Sequence, residues 1–78
     1  MNDFLATSPF DLYELSLFQL VVKNRSFTKA AQAAGLTQSA ITRQIQNMER
    51  SLNIALLERT TRSVRLTRPG EFLFQESV

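Results

Sequence analysis

The sequence predicts a mainly α-helical fold of the winged helix-turn-helix class, with a three-helix core, a two-stranded β wing and the start of a C-terminal helix. Three observations carry that expectation. Apolar residues recur at helical spacing in three successive segments between Leu12 and Leu52. The second and third segments are separated only by a short turn containing Gly35, as in two helices that meet at a steep angle. Beyond Leu52 the helical period gives way to two short extended runs that flank the polar stretch TTRS.

The first helix begins near SPFD. Ser8 fits an N-cap, with Pro9 at the first helical position and Asp11 at the third, a capping-box-like start with Asp in place of Glu; Asp11 is the alternative cap. Leu12, Leu15, Phe18 and Val22 form its stripe, broadened by Leu17, Leu20 and Val21, so this helix is expected to be mostly buried. NRS breaks it. Ser26 is a good N-cap for FTKAAQAA, in which Phe27, Ala30, Ala31 and Ala34 stand at i, i+3, i+4 and i+7. Small side chains at that spacing let a neighbouring helix approach closely. Gly35 supplies the left-handed conformation that ends a helix, and Leu36 can plug the core behind the turn.

Thr37 caps the third helix, where Ile41, Ile45, Met48 and Leu52 recur at i, i+4, i+7 and i+11. At about 100° per residue the opposite face holds Ser39, Arg43, Gln46 and Arg50, with Thr42 and Asn47 on its flanks. Gln38 lies in the first turn, nearer the core edge. The extended runs are Leu56–Arg59 and Val64–Leu66, a hairpin with a basic tip. Two strands are marginal alone and must pack on the helices. Thr67 then caps a final helix with Pro69 in its first turn and Phe72, Leu73 and Phe74 as its apolar contacts.

A chain of 78 residues suits one small domain. It has no cysteine and no histidine, which removes a disulfide framework and the usual zinc sites and leaves helix packing to supply stability. No apolar run approaches the ~18 residues of a membrane span. The N-terminus MNDFLATSPF is acidic and lacks the basic and long apolar regions of a signal peptide, so a cytoplasmic location is expected. GEFLFQESV stops inside a helix that has just begun, as in a piece of a longer protein.

The formal charge of +2 conceals an asymmetry. All nine basic residues lie between Lys23 and Arg68, where the only acids are Glu49 and Glu58, so that segment carries +7. Such an excess attracts polyanions. Residues 37–47 contain no Asp or Glu. A helix-turn-helix places the N-terminal part of its second helix against base edges in the major groove. There Gln pairs with adenine N6/N7, Arg with guanine O6/N7, and Ser or Thr with either kind of partner, whereas a carboxylate is repelled by phosphate. A short acid-free face is by itself common on solvated helices. Its combination with the Gly turn, the Arg-bearing hairpin and the segmental charge points to double-stranded DNA.

SFTKAAQAAGLTQSAITRQIQNMERSLN, followed by LLERTTRSVRLTRPGE, closely resembles the DNA-binding domain of LysR-type transcriptional regulators, from about Leu12 to Glu71. The motifs that carry the resemblance are SFTKAA, TQSAITRQI and the ER..R.V.LT pattern of the wing. The resemblance implies a bacterial regulator that binds DNA as a dimer or tetramer. It also implies a linker helix after the wing that pairs subunits, and a larger C-terminal domain, absent here, that senses a small-molecule effector. No cofactor is expected in this chain.

Matched by motif, the base-reading positions fall on Gln38, Ser39, Thr42 and Arg43, and the minor-groove contact of the wing falls on Arg62. Ser26, Thr28 and Lys29 become backbone contacts, with Thr37 and Arg50 as weaker candidates. Phe72, Leu73 and Phe74 either form a dimer interface or pack only on their own first helix. On this reading residues 1–9 are an N-terminal tail and 10–67 the winged domain, with the helix-turn-helix at about 27–46 and the wing at about 56–66. Residues 68–78 start the linker helix. Proline is common in the family where Ser39 or Ala40 stands, glycine where Asn53 stands, Phe where Leu57 stands and alanine where Pro69 stands. Asn53 tolerates the left-handed conformation that the turn requires.

Arg59, at a strand end, is expected to form an ion pair with Glu49 or Glu58, or to hold phosphate. The alternative to DNA binding is a basic helical module that docks an acidic protein partner. An enzyme is disfavoured, because the chain has no His, no Cys, no Gly-rich phosphate loop and no convincing carboxylate pair.

Overall fold

The computed structural model describes residues 11–59 and 63–77. In chain order they form α1 (Leu12–Asn24), α2 (Phe27–Ala34), α3 (Gln38–Leu52), β1 (Leu57–Arg59), β2 (Val64–Leu66) and α4 (Arg68–Ser77). Three helices pack around one core, the two strands pair beside it, and α4 returns across α1. This is a winged helix-turn-helix.

Helix α1 starts at Asp11, not at Ser8; Ser8 and Pro9 lie outside the described residues. Asp11 Oδ1 accepts the Glu14 N–H at 2.8 Å, and Glu14 Oε1 accepts the Asp11 N–H at 3.3 Å. Glu14 therefore closes a complete capping box around Asp11. The helix is also less buried than its apolar content suggests. Leu17, Phe18 and Val21 enter the core, Leu15, Leu20 and Val22 only border it, and Leu12 stays 60% exposed. One helix face is enough to close a three-helix core, so the remaining apolar positions of α1 stay at its margin. Arg25 ends the helix in the left-handed region at φ 52°, a position the sequence pattern did not single out.

Ser26 Oγ accepts the Lys29 N–H at 3.0 Å and starts α2. Phe27, Ala30 and Ala31 are buried, and the missing bulk at the alanines lets α1 and α3 come close to α2. Gly35 adopts φ 71°, with its N–H and that of Leu36 turned back to the carbonyls of Gln32 and Ala31. That pair of bonds is a Schellman turn, and it sets the angle between α2 and α3. Ile41, Ile45 and Met48 fill the inner face of α3. Asn53 ends α3 at φ 57° with the same pair of returning bonds, to Arg50 and Glu49. The left-handed asparagine expected at this position is present.

Strands β1 and β2 pair antiparallel, with Leu57 opposite Leu66, Glu58 opposite Arg65 and Arg59 opposite Val64. Leu56 precedes the first strand instead of belonging to it, and its side chain is 1% exposed within the helical core. Three elements converge on this short stretch. Glu49 Oε2, on α3, accepts the N–H groups of Leu56 at 2.7 Å and Leu57 at 3.1 Å. The Leu56 carbonyl accepts the Thr67 N–H at 3.0 Å, and the Thr67 hydroxyl donates to the Ala55 carbonyl at 2.7 Å. Thr67 Oγ1 in turn accepts the Gly70 N–H at 3.0 Å and caps α4. Farther along, Phe74 meets Phe18 edge to face at 6.4 Å, and Gln19 Nε2 donates to the Ser77 carbonyl and hydroxyl at 3.0 Å.

Gly70 packs so tightly that a Cβ built on it collides with the Leu56 carbonyl oxygen. Gly70→Ala should therefore lower stability by about 1–3 kcal/mol, the usual range for forced overpacking. The expected readout is a lower urea midpoint with an unchanged slope.

Candidate nucleic-acid interface

The face of α3 away from the core follows from the way Ile41, Ile45 and Met48 are held. With those three side chains inward, Gln38, Ser39, Arg43, Gln46 and Arg50 are exposed and Thr42 is half-buried. The Schellman turn at Gly35 brings the first turn of α2 beside the first turn of α3. There the Thr28 hydroxyl donates to Gln38 Oε1 at 3.1 Å. Arg43 has no hydrogen-bond or ionic partner among the described residues, so its guanidinium is free to engage a ligand.

The expected contact residues divide by their local duties. Ser26 and Thr37 are N-caps: each side-chain oxygen accepts a backbone N–H, from Lys29 and Ala40 respectively. Each hydroxyl still has its own proton to donate outward. Lys29 is exposed one turn into α2. Arg50 lies far from the first turn, and its Nη1 donates to Asn47 Oδ1 at 3.0 Å. Arg62 lies outside the described residues, between strands β1 and β2. Among the described residues no three His, Cys, Asp or Glu side chains cluster as a metal site would need.

Arg59 differs from expectation. Its guanidinium stacks over the Phe27 ring, 4.0 Å from the centroid, and forms no ion pair with Glu49 or Glu58 among the described residues. The Glu49 carboxylate is engaged by the Leu56 and Leu57 N–H groups. A planar guanidinium is suited to stacking on an aromatic face, and here it ties the outer end of β1 to the first turn of α2. At the other end of the domain Phe72 is 67% exposed, whereas Leu73 and Phe74 pack against the core of their own chain.

Sequence reasoning missed Glu49 as the bracket between α3 and the wing. Its one visible trace was its isolation as one of only two acids in the basic segment. The Thr28–Gln38 pair was also missed, although both residues were named singly. Ten positions separate them, and only the turn brings them together.

A sequence model described as "Bacterial regulatory helix-turn-helix protein, lysR family" matches residues 12–71. The chain belongs to the LysR family. Among its LysR relatives, the HTH-type transcriptional regulator BenM of Acinetobacter baylyi is 44% identical over 68 residues, which cover 87% of this chain and 22% of BenM. The probable RuBisCO transcriptional regulator of Cyanidioschyzon merolae is 43% identical over 67 residues, covering 86% of this chain and 22% of that protein. The chain thus spans about a fifth of the length of these relatives.

Solved structures agree with this placement. The BenM DNA-binding domain in complex with catB site 1 DNA superposes with a TM-score of 0.84 at 44% identity, over 87% of this chain and 76% of that one. The CbnR DNA-binding domain in complex with DNA gives 0.83 at 31% identity, over 87% and 78%.

Glu49 sits where the LysR wing joins the helices, so its loss should be felt as stability. Glu49→Ala leaves two part-buried N–H groups without their acceptor and should cost about 1–3 kcal/mol. Glu49→Gln retains an acceptor oxygen and should cost less. Urea denaturation of the two variants beside the parent measures the difference.

Proposed function

We propose that this chain is the sequence-specific DNA-binding domain of a LysR-family transcriptional regulator, with α3 in the major groove of double-stranded DNA and the wing in the minor groove. The observation that carries the reading is the exposed, carboxylate-free start of α3. Its Gln38, Ser39 and Arg43 point away from the core, with Thr42 at their edge. In BenM and CbnR the corresponding domains have been crystallised on DNA, which supports the same use of the surface here.

The roles follow from chemistry. Arg43 offers a fork for guanine O6/N7, and Ser39 and Thr42 offer hydroxyls and, for Thr42, a methyl group for thymine. The first turn of α2, from Ser26 to Lys29, approaches the phosphate backbone, with Thr37 and Arg50 supporting it. Arg62 enters the minor groove, where negative potential draws an arginine inward. Serine in place of the family's common proline gives position 39 a donor and an N–H that proline lacks.

Exposed Phe72 is the side chain of α4 best placed to pair with a second subunit, and Leu73 and Phe74 support it from below. Effector sensing belongs to the larger remainder of a full-length regulator. Among the described residues no helix is long and apolar enough to cross a membrane, in keeping with action on DNA in the bacterial cytoplasm. The relatives are named as regulators, and the reading here is of a binding domain with no catalytic role.

Binding should weaken steeply with salt. Four cations at phosphates or in the grooves (Lys29, Arg43, Arg50, Arg62) correspond to a log–log slope of about −3.6 per domain. Arg43→Ala should lose about 1–3 kcal/mol of discrimination between its selected site and random duplex. Fluorescence anisotropy across a salt series checks both. Weak, salt-insensitive binding to every duplex would instead favour an acidic protein partner.

A further inference from the structure

We infer that Arg25 is a phosphate-binding residue, which holds the DNA backbone strand passing between the start of α2 and the wing and lowers the domain's stability to do so. The inference rests on the DNA-binding reading above and adds one cation to the four counted there.

Arg25 ends α1 in the left-handed region, at φ 52°. Among the described residues it shares that conformation only with Gly35 and Asn53. Glycine adopts it freely and asparagine tolerates it, whereas a long side chain is disfavoured there. The turn itself asks only for the backbone: the Arg25 N–H donates to the Val22 carbonyl at 3.3 Å, a bond open to any residue but proline. Nor does α1 need the charge, because Lys23 already stands in its last turn, where a cation favours the exposed carbonyls. The Arg25 side chain is exposed and has no hydrogen-bond or ionic partner among the described residues. A strained backbone position held by a side chain with no task inside the fold points to a task outside it.

Its surroundings name the ligand. Arg25 directly precedes Ser26, the N-cap of α2, whose first turn approaches phosphate in the reading above. On its other side it lines a cleft with Lys23 and with Arg65 of β2, and no Asp or Glu lines that cleft among the described residues. Val22, Val64 and Phe74 supply apolar wall, and low-dielectric walls focus the field of a cleft whose charges share one sign. Glu58 stands opposite Arg65 across the strand pair and tempers that arginine, so the stronger half of the cleft is the end of α1.

A duplex that gives its major groove to α3 and the adjoining minor groove to the wing runs one phosphodiester strand between the two. Arg25, between the start of α2 and β2, meets that strand. Its planar guanidinium can offer two parallel N–H groups to one phosphate.

The test sets stability against affinity. Arg25→Gly relieves the backbone strain and removes the charge, so its urea midpoint should equal or exceed the parent's while its binding to duplex DNA falls. Selected and random duplexes should weaken by the same factor, because a phosphate contact carries no sequence information. The slope of log affinity against log salt should become shallower by about 0.9. The parent's advantage over the variant should then shrink by about three- to fourfold between 50 and 200 mM salt, concentrations at which such slopes are read. Arg25→Asn, neutral and tolerant of the left-handed region, should reproduce Arg25→Gly. Arg25→Lys should restore the parent slope.

An Arg25→Gly protein that binds DNA with the parent's affinity and salt slope overturns the inference, and is the result expected if the cleft instead receives an acidic protein segment. A loss of affinity with an unchanged slope also overturns it, since that marks a structural role. So does an Arg25→Lys protein whose slope matches that of Arg25→Gly. A parent that binds no duplex DNA overturns the DNA-binding reading itself, and this inference with it.

Discussion

The short stretch at Leu56 is the constraint on which the rest of this domain depends. A three-residue strand paired with another of equal length cannot hold itself in place in water. Here its position is inherited from the helices. The Leu56 side chain is anchored in the core, its N–H is held by Glu49 of α3, and its carbonyl is held by Thr67 at the start of α4. Gly70 then lets the first turn of α4 close down on that same carbonyl. One backbone position thereby fixes the angle of the wing to α3 and of α4 to both.

This arrangement explains how a domain of one small core can present a surface made from distant segments. The face that reads bases needs α2, α3 and the wing in fixed relation, because a misplacement of about an ångström is enough to spoil a paired contact. The Gly35 turn sets α2 against α3. Glu49 sets α3 against β1, and Arg59 stacked on Phe27 sets the outer end of β1 against α2. These three links close a triangle around the exposed side chains. None of the three connecting residues is itself a reader of DNA in this account.

The periodic features of the chain were legible in the sequence, and the features that depend on a distant partner were not. Ile41, Ile45 and Met48 declared the inner face of α3, and the Phe27 and alanine stripe declared that of α2. Gly35 and Asn53 announced their left-handed turns because few other residues tolerate that conformation. The start of α1 was ambiguous because Ser8 and Asp11 both satisfy the local rule; Glu14 decides it, three residues beyond Asp11. The burial of α1 was overestimated because an apolar side chain does not by itself reveal whether a neighbour will cover it. Arg59 was assigned to an ion pair on charge, but the nearest carboxylate of α3 was already engaged by two backbone N–H groups. On α3 the outward positions Gln38, Ser39 and Arg43 follow from the inward stripe of Ile41, Ile45 and Met48, whereas the bond joining Thr28 to Gln38 follows only from the angle between two helices.

The central claim is that the start of α3, together with the start of α2, is the surface that meets DNA. Titration of the isotope-labelled chain with a duplex carrying its selected site, followed by amide and side-chain NMR, tests it most directly. The account predicts that the largest shifts fall on residues 26–29 and 37–43, with small shifts at Phe74 and Ser77 of α4. Shifts concentrated on α1 and α4, with the start of α3 unmoved, would contradict it.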